Sequence, residues 1–137
     1  MWYYKGNEFT SDDIGSHVGF VYIITDLSNG KKYVGKKKFI SKTKRPPLKG
    51  KTRKRTIIKQ SDWMDYYGSS EEVKLLVEQY GRDNFKREIL HLCGTLGEMS
   101  YLELDEQMKR QVLLKDEYYN EFVGAKIHSS HVKNLKK

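Results

Sequence analysis

The sequence predicts an α+β domain, a small three-stranded antiparallel sheet flanked by helices and carrying a long basic insert. Three observations predict it. A β-branched and aromatic run meets an Asn-Gly reversal and a second short apolar run, which together make a hairpin. Two later stretches repeat apolar residues at helical spacing. Between them lies one more apolar run of strand length, and strands mixed with helices in this order call for helices packed on a small sheet.

The elements follow in order. Residues 1–17 are aromatic and polar without a period, which suits a cover strand or a loop. Val18-Gly-Phe-Val-Tyr-Ile-Ile-Thr25 reads as a strand, and Lys31-Lys32-Tyr33-Val34 as its partner across Asn29-Gly30. Side chains alternate along a strand, so Phe20, Tyr22 and Ile24 share one face. Whether Tyr33 joins that face depends on register. The insert, about residues 36–60, contains Pro46-Pro47, Gly50 and the run KGKTRKR, and reads as a long irregular loop. Ser69 and Glu72 have capping-box spacing before the stripe Val73, Leu76, Val77 and Tyr80, and Gly81 is a natural stop. Phe85–Cys93 reads as the third strand. A second helix is expected from about Leu96 or Glu98 to Leu114, with its apolar face at Tyr101, Leu104, Met108 and Val112. Tyr118-Tyr119-Asn120 reads as a loop, and residues 121–137 as a short strand and a basic tail.

A chain of 137 residues favours one domain, with a core at about 18–122 and a basic tail at about 123–137. Net charge is +8, which suits an anionic partner or plain solubility. The distribution favours the partner. No Asp or Glu occurs from Leu27 to Ser61, and residues 31–59 hold 14 of the 26 Lys and Arg residues. Lys37, Lys38, Lys42 and Lys44 are candidates for contacts to DNA phosphates, with Lys51, Lys54 and Trp63 beside them.

Other classes are disfavoured. The single cysteine, Cys93, excludes an intrachain disulfide and a four-Cys zinc site, and it ends an apolar run where burial is expected. No apolar run approaches the ~18 residues of a membrane span. The first residues, MWYYKGNEFTSDD, lack the pattern of a secretory signal, so a cytoplasmic location is expected. There is no Gly-rich phosphate loop and no H-E-x-x-H. His17, His91, His128 and His131 lack metal-ligand spacing, and the last two read as surface residues.

Ten tyrosines are an unusual number, and most belong in a core. Tyr22 and Tyr33 differ because the hairpin sets them on paired strands. Gly19-Phe20-Val21-Tyr22 followed eleven residues later by Tyr33-Val34-Gly35 resembles the signature of the GIY-YIG nucleases, with the first triplet degenerate. The resemblance continues in order through Tyr80-Gly81, Phe85, Ile89-Leu90, Tyr101-Leu102-Glu103 and Tyr119-Asn120, covering about residues 18–122. Gly35-Lys36-Lys37 and Ser61-Asp62-Trp63 resemble the Seg-type phage homing endonucleases within that family.

The resemblance implies a DNA endonuclease using one divalent metal, Mg²⁺ or Mn²⁺, held by Glu103. Glu98, Asp105 and Glu106 are nearby alternatives, and helical periodicity alone would leave Glu103 on the surface. Tyr22 and Tyr33 would position or deprotonate the attacking water. A free phenol has a pKa of about 10, so a phenolate needs cationic neighbours, which Lys36 and Lys37 could supply. The family arginine should stand about ten residues past Tyr33, where this chain has Thr43; Arg45, Arg53 and Arg55 are the candidates. Asn120 would bind a phosphate or orient the Glu103 region, or serve only as a turn residue. A basic nucleic-acid-binding module without chemistry is the competing expectation.

Overall fold

The computed structural model describes residues 1–124 and 134–135, with the backbone alone at Thr43. His128, His131 and most of the basic tail lie outside the described residues. Seven strands and two helices follow one another: β1 (Trp2–Tyr4), β2 (Asn7–Phe9), β3 (Gly19–Asp26), β4 (Lys32–Lys38), β5 (Ile40–Arg45), β6 (Arg55–Gln60), α1 (Glu71–Tyr80), β7 (Phe85–Cys93) and α2 (Leu96–Lys109). The main sheet has five strands in the order β2-β1-β7-β3-β4, while β5 and β6 form a separate two-stranded ribbon.

The α+β class and the β3–β4–β7 centre agree with the sequence, but the sheet is larger than three strands and is mixed. The first residues add a hairpin whose β1 lies parallel to β7. Its reversal, Lys5-Gly6, has positive φ at both residues (51° and 84°). Lys-Gly is not among the usual pairs for such a turn, so the sequence does not announce it.

The insert also departs from a loop. Ile40, Thr56, Ile57 and Ile58 are β-branched, and β5 and β6 pair from Ile40↔Gln60 out to Arg45↔Arg55. Gly50 (φ 83°) and a Lys51 N–H to Leu48 C=O hydrogen bond turn the chain near the tip. Phe39 N–H donates to Val18 C=O and Ser61 N–H to Phe39 C=O, which clamps the ribbon's base to the sheet.

Alternation in β3 divides the core in two. Phe20, Tyr22 and Ile24 join Trp2, Phe9, Phe39 and Trp63 in an aromatic cluster roofed by Leu76 and Val77 of α1. Val21 and Ile23 face the other way, with Val34, Cys93 and Met99, under α2. Trp63 is a correction: it is fully buried, and its C=O accepts from Trp2 Nε1 at 2.8 Å. Its indole therefore cannot reach DNA. Cys93 is buried as expected, and burial pushes its thiol up to about 12.

Both helices start on side-chain caps. Ser70, one residue after the expected cap, accepts from Val73 N–H, and Thr95 from Glu98 N–H. α2 ends before Gln111, which has a positive φ of 54°. Its expected apolar face holds only in part: Val112 is buried and Leu104 half-buried. Tyr101 and Met108 are exposed, and the sheet-facing side carries Met99, Glu106 and Gln107 instead. Periodicity fails here because this helix turns polar side chains inward.

Asp26, fully buried at the end of β3, fastens three distant segments. It accepts from the Ser28 hydroxyl and N–H, from Asn84 Nδ2 and from the Tyr119 hydroxyl. Burial alone would raise its pKa, but these hydrogen bonds outweigh burial and hold it below the usual carboxylate value. Removing the carboxylate leaves buried donors unpaired, so Asp26→Ala should lose about 2–4 kcal/mol in urea unfolding at pH 7. A lowered folded pKa stabilises above the unfolded value of about 4 and ceases to do so as pH falls through the folded value. The gap between wild type and Asp26→Ala should therefore narrow below pH 4; a gap constant with pH would contradict the assignment.

Candidate active site

The register answers the question the sequence left open. Tyr22 pairs with Gly35 and Tyr33 with Ile24, so both tyrosines lie on the aromatic face of the β3–β4 hairpin. Their rings are 6.3 Å apart at 33°. Gly35 makes the approach possible. A Cβ there would overlap Tyr22 Oη and lie 2.7 Å from Tyr22 Cζ and 3.1 Å from Tyr33 Cε1. β4 is an edge strand, so the Tyr22 ring crosses the outermost strand and brings its hydroxyl towards the rim of the sheet.

Glu103 reaches the same rim from the opposite layer. Lys36, next to Gly35, pairs with Val21 and so faces α2. There its Nζ lies 3.7 Å from Glu103 Oε1 and donates to Ser100 Oγ at 2.9 Å. The two tyrosines and the carboxylate thus converge from the two faces around one edge strand. The Glu103 carboxylate adds to the factors that hold both phenols protonated.

The edge strand is held from behind. Asn120 Oδ1 accepts from Val34 N–H at 3.0 Å, and its Nδ2 donates to Val34 C=O at 2.9 Å. Gln107 Nε2 donates to the same carbonyl at 3.1 Å. Asn120 is buried with both ends of its amide occupied, an arrangement that places β4 rather than offering a free group to a phosphate.

The ionisation states follow from burial. Tyr22 is pushed well above the ordinary phenol value by burial first, then by Tyr66, Tyr33 and Glu103. Tyr33 is also raised, by burial first, and the 2.8 Å hydrogen bond it shares with Ser69 Oγ only partly opposes that. Neither tyrosine is therefore a phenolate at neutral pH in this chain alone, and the nearby lysines do not reverse that. The buried Tyr22 hydroxyl has no hydrogen-bond partner, an orphan group aimed at the rim.

Glu103 and Glu106 are one helical turn apart and differ sharply. Glu106 accepts from His91 Nε2 at 2.8 Å and from Arg110 Nε at 3.0 Å. Burial raises it, but these partners hold it below the usual value. His91 reaches α2 because Leu90 is an extra residue in β7 between the pairs Val21↔His91 and Tyr22↔Ile89. Glu103 is raised by burial, and Lys36 only partly offsets that. A half-buried carboxylate with one loose partner can accept a hard cation. Among the described residues no three His, Cys, Asp or Glu side chains gather as a metal cluster. One carboxylate suits Mg²⁺ or Mn²⁺, which keeps most of its water shell and takes further oxygens from a phosphate. An orphan hydroxyl on the same rim fits such a hydrated ion.

The structure brings together Tyr22, Tyr33, Lys36 and Glu103, with Asn120 behind them. It does not bring Arg45, Arg53 or Arg55. Arg45 and Arg55 pair at the outer end of the ribbon, five residues and about 17 Å beyond its base, and Arg53 lies past them in the tip. Lys42, Lys44, Lys51 and Lys54 are exposed on the same ribbon. Lys38 is exposed at the end of β4. Lys37 faces the aromatic side, with Nζ 4.2 Å from the Tyr66 ring centroid and 2.6 Å from Asp62 Oδ1.

Tyr66 is the residue that sequence reasoning missed. Its ring meets Tyr22 edge-on at 5.9 Å. Its C=O accepts from Arg87 Nη1 at 2.9 Å, as does Met64 C=O. Arg87 is buried between Trp2 and Tyr67, with its guanidinium 4.6 and 4.1 Å from their rings. Residues 61–70 have no period, so nothing in their pattern separates Tyr66 from the other tyrosines.

Residues 2–123 match the sequence family described as "Putative endonuclease segE, GIY-YIG domain". The chain is 30% identical over 102 residues to the protein named "Putative endonuclease segE" of Enterobacteria phage T4, an alignment covering 74% of this chain and 39% of that protein. The chain thus spans well under half the length of this relative. No solved structure matches.

The Gly35 contact has a measurable consequence. Gly35→Ala forces Tyr22 and Tyr33 apart and should cost about 1–3 kcal/mol in urea unfolding. Ultraviolet titration should show one tyrosine fewer ionising late in the variant than in wild type. Unchanged stability and titration would mean that Tyr22 does not cross the strand at this position.

Proposed function

Because the chain belongs to the GIY-YIG endonuclease family, in its segE group, we propose that it is a metal-dependent DNA endonuclease of phage homing type that hydrolyses phosphodiester bonds at the β4 rim. The observation that carries this reading is the convergence of the orphan Tyr22 hydroxyl and the loosely held Glu103 carboxylate on one edge strand. Family nucleases generally use a divalent metal; when bound, such an ion neutralises phosphate charge and makes bound water more acidic. Glu103 is the residue that would hold it, with Mg²⁺ or Mn²⁺ as candidates.

Each of the chain's own groups has a task in that reading. Tyr22, protonated, unpartnered and covered in the free chain, would donate its O–H to a phosphate oxygen, or orient the attacking water through the oxygen lone pairs, where bound substrate reaches the rim. Tyr33, tied to Ser69, positions the substrate from the same face. Water attacks phosphorus and gives up a proton to solvent, the bond to the 3′ oxygen breaks, and that oxygen leaves with a proton taken from solvent. Lys36 is free to turn from Glu103 towards the phosphate once a cation occupies the carboxylate. Lys37, beside Tyr66 and paired with Asp62, is the cation on the aromatic side, where none of Arg45, Arg53 and Arg55 stands.

That remote placement of Arg45, Arg53 and Arg55 favours a second reading, a binding module that no longer cuts. A plasmid-nicking assay with Mg²⁺ or Mn²⁺ separates the two. Wild type should cut, and Glu103→Gln should bind DNA with cutting reduced at least about a hundredfold. The raised pKa of Glu103 means that its ionisation opposes folding: the effect is absent below the ordinary carboxylate value and grows as pH rises through the folded one. Glu103→Gln should therefore melt at or above the wild-type temperature at pH 7. Full cutting by Glu103→Gln would sink the site assignment, and absence of cutting by wild type under both metals would favour the binding module.

A further inference from the structure

The cleavage reading leaves the β5–β6 ribbon without a task, although the ribbon holds the densest positive charge in the chain. Residues 40–60 contain nine Lys and Arg residues and no Asp or Glu. Beyond Ile40 and Ser41, the described side chains of the ribbon are exposed except for a half-buried Ile57. The register sorts the charges onto both faces. Lys42 opposite Ile58 and Lys44 opposite Thr56 share one face; Lys59 opposite Ser41 and Arg45 opposite Arg55 share the other.

Two features of that pattern argue for an anionic partner that surrounds the ribbon. Like charges directly across a strand pair are destabilising, yet Arg45 faces Arg55 with no acid in the segment to relieve them. A bare two-stranded hairpin is also marginal in water, since it has no apolar layer behind it. A single flat anionic surface would engage one face only, whereas a groove with charged walls engages both. The exposed Ile58 side chain lies directly across from Lys42 and diagonal to Lys44, where it can meet a base methyl group while they meet phosphates.

Groove dimensions select the substrate. The major groove of B-form DNA, about 12 Å wide, admits a two-stranded ribbon, whereas the minor groove, about 6 Å wide, does not. The major groove of A-form RNA is too narrow for side chains to read. Position agrees. β4 passes through a bend at Phe39 directly into β5, so the ribbon and the rim adjoin at one clamped junction. Lys42 is seven residues from Gly35, at most about 25 Å, which is less than one turn of duplex, about 34 Å.

We propose that the β5–β6 ribbon enters the major groove of duplex DNA within one helical turn of the phosphate presented to the β4 rim, and so makes duplex rather than single-stranded DNA the preferred substrate. This deepens the DNA-cleaving reading and rests on it only for the rim's task.

The test measures binding in EDTA, where no cleavage intervenes, by fluorescence anisotropy of a short labelled duplex. The full chain is compared with a variant carrying Lys42→Gln, Lys44→Gln, Arg55→Gln and Lys59→Gln. The variant should melt within about 2 °C of wild type, since the changes are exposed, yet bind duplex at least about tenfold more weakly. Its log K against log salt slope should be shallower by about 3–4, from four lost phosphate contacts. Filling the minor groove with netropsin should leave wild-type binding unchanged, while methylating guanine N7 in the major groove should weaken it. Wild-type affinity and slope in the variant would overturn the proposal. So would displacement by netropsin, or tighter binding to single strands or anionic vesicles than to duplex. If wild type passes these tests but cuts with neither metal, the cleavage reading fails and the ribbon assignment stands. If wild type cuts while the variant binds unchanged, the reverse holds.

Discussion

The site depends on a side chain that is missing. Gly35 has no Cβ, and only for that reason can Tyr22, rooted on the inner strand β3, lay its ring across the outer strand β4. An edge strand ordinarily presents unpaired backbone to solvent. Here the exposed edge is shaped on purpose: Asn120 and Gln107 satisfy the Val34 peptide from the loop and from α2. The strand stays in place while its rim remains open. Tyr22 and Tyr33 then approach from one face and Lys36 and Glu103 from the other.

The buried polar groups divide into two kinds, and the division separates scaffold from site. Asp26 and Glu106 are buried carboxylates with both oxygens hydrogen-bonded, held below their ordinary pKa by their partners. They fasten the β3–β4 turn to the Tyr119 segment and β7 to α2. Tyr22 and Glu103 are buried or half-buried with few partners, and their pKa values are raised. Such groups cost folding energy, so their retention at one rim points to a task outside folding.

Charge is distributed with the same economy. The hydrogen-bonded carboxylates and the aromatic core sit in and against the sheet, while the acid-free segment projects outward as a ribbon clamped at Phe39 and Ser61. β4 leads through a bend at Phe39 into that ribbon, so the ribbon's cations follow directly in the chain on the strand that carries Gly35 and Lys36.

Much of this was legible from residues alone. The β-branched run, Asn29-Gly30 and Tyr33-Val34 specify the hairpin; the stripe Val73, Leu76, Val77 and Tyr80 before Gly81 specifies the first helix to within a residue of its cap; and the absence of acid from Leu27 to Ser61 locates the positive charge. These are local or compositional properties, and local chemistry decides them. Pairing between distant segments is not local. That Trp2–Tyr4 would join β7, that Trp63 would be core, and that α2 would turn Glu106 and Gln107 inward depended on what each meets across the fold. The same holds for Tyr66, fixed beside Tyr22 by a hydrogen bond from Arg87. The sequence by itself determined which strands carry the two tyrosines and where the positive charge lies, because neighbours in the chain decide both. Only the tertiary structure decided that those tyrosines meet Glu103 around one strand edge and that the arginines stand on a distant ribbon, because strand register and layer packing set those distances.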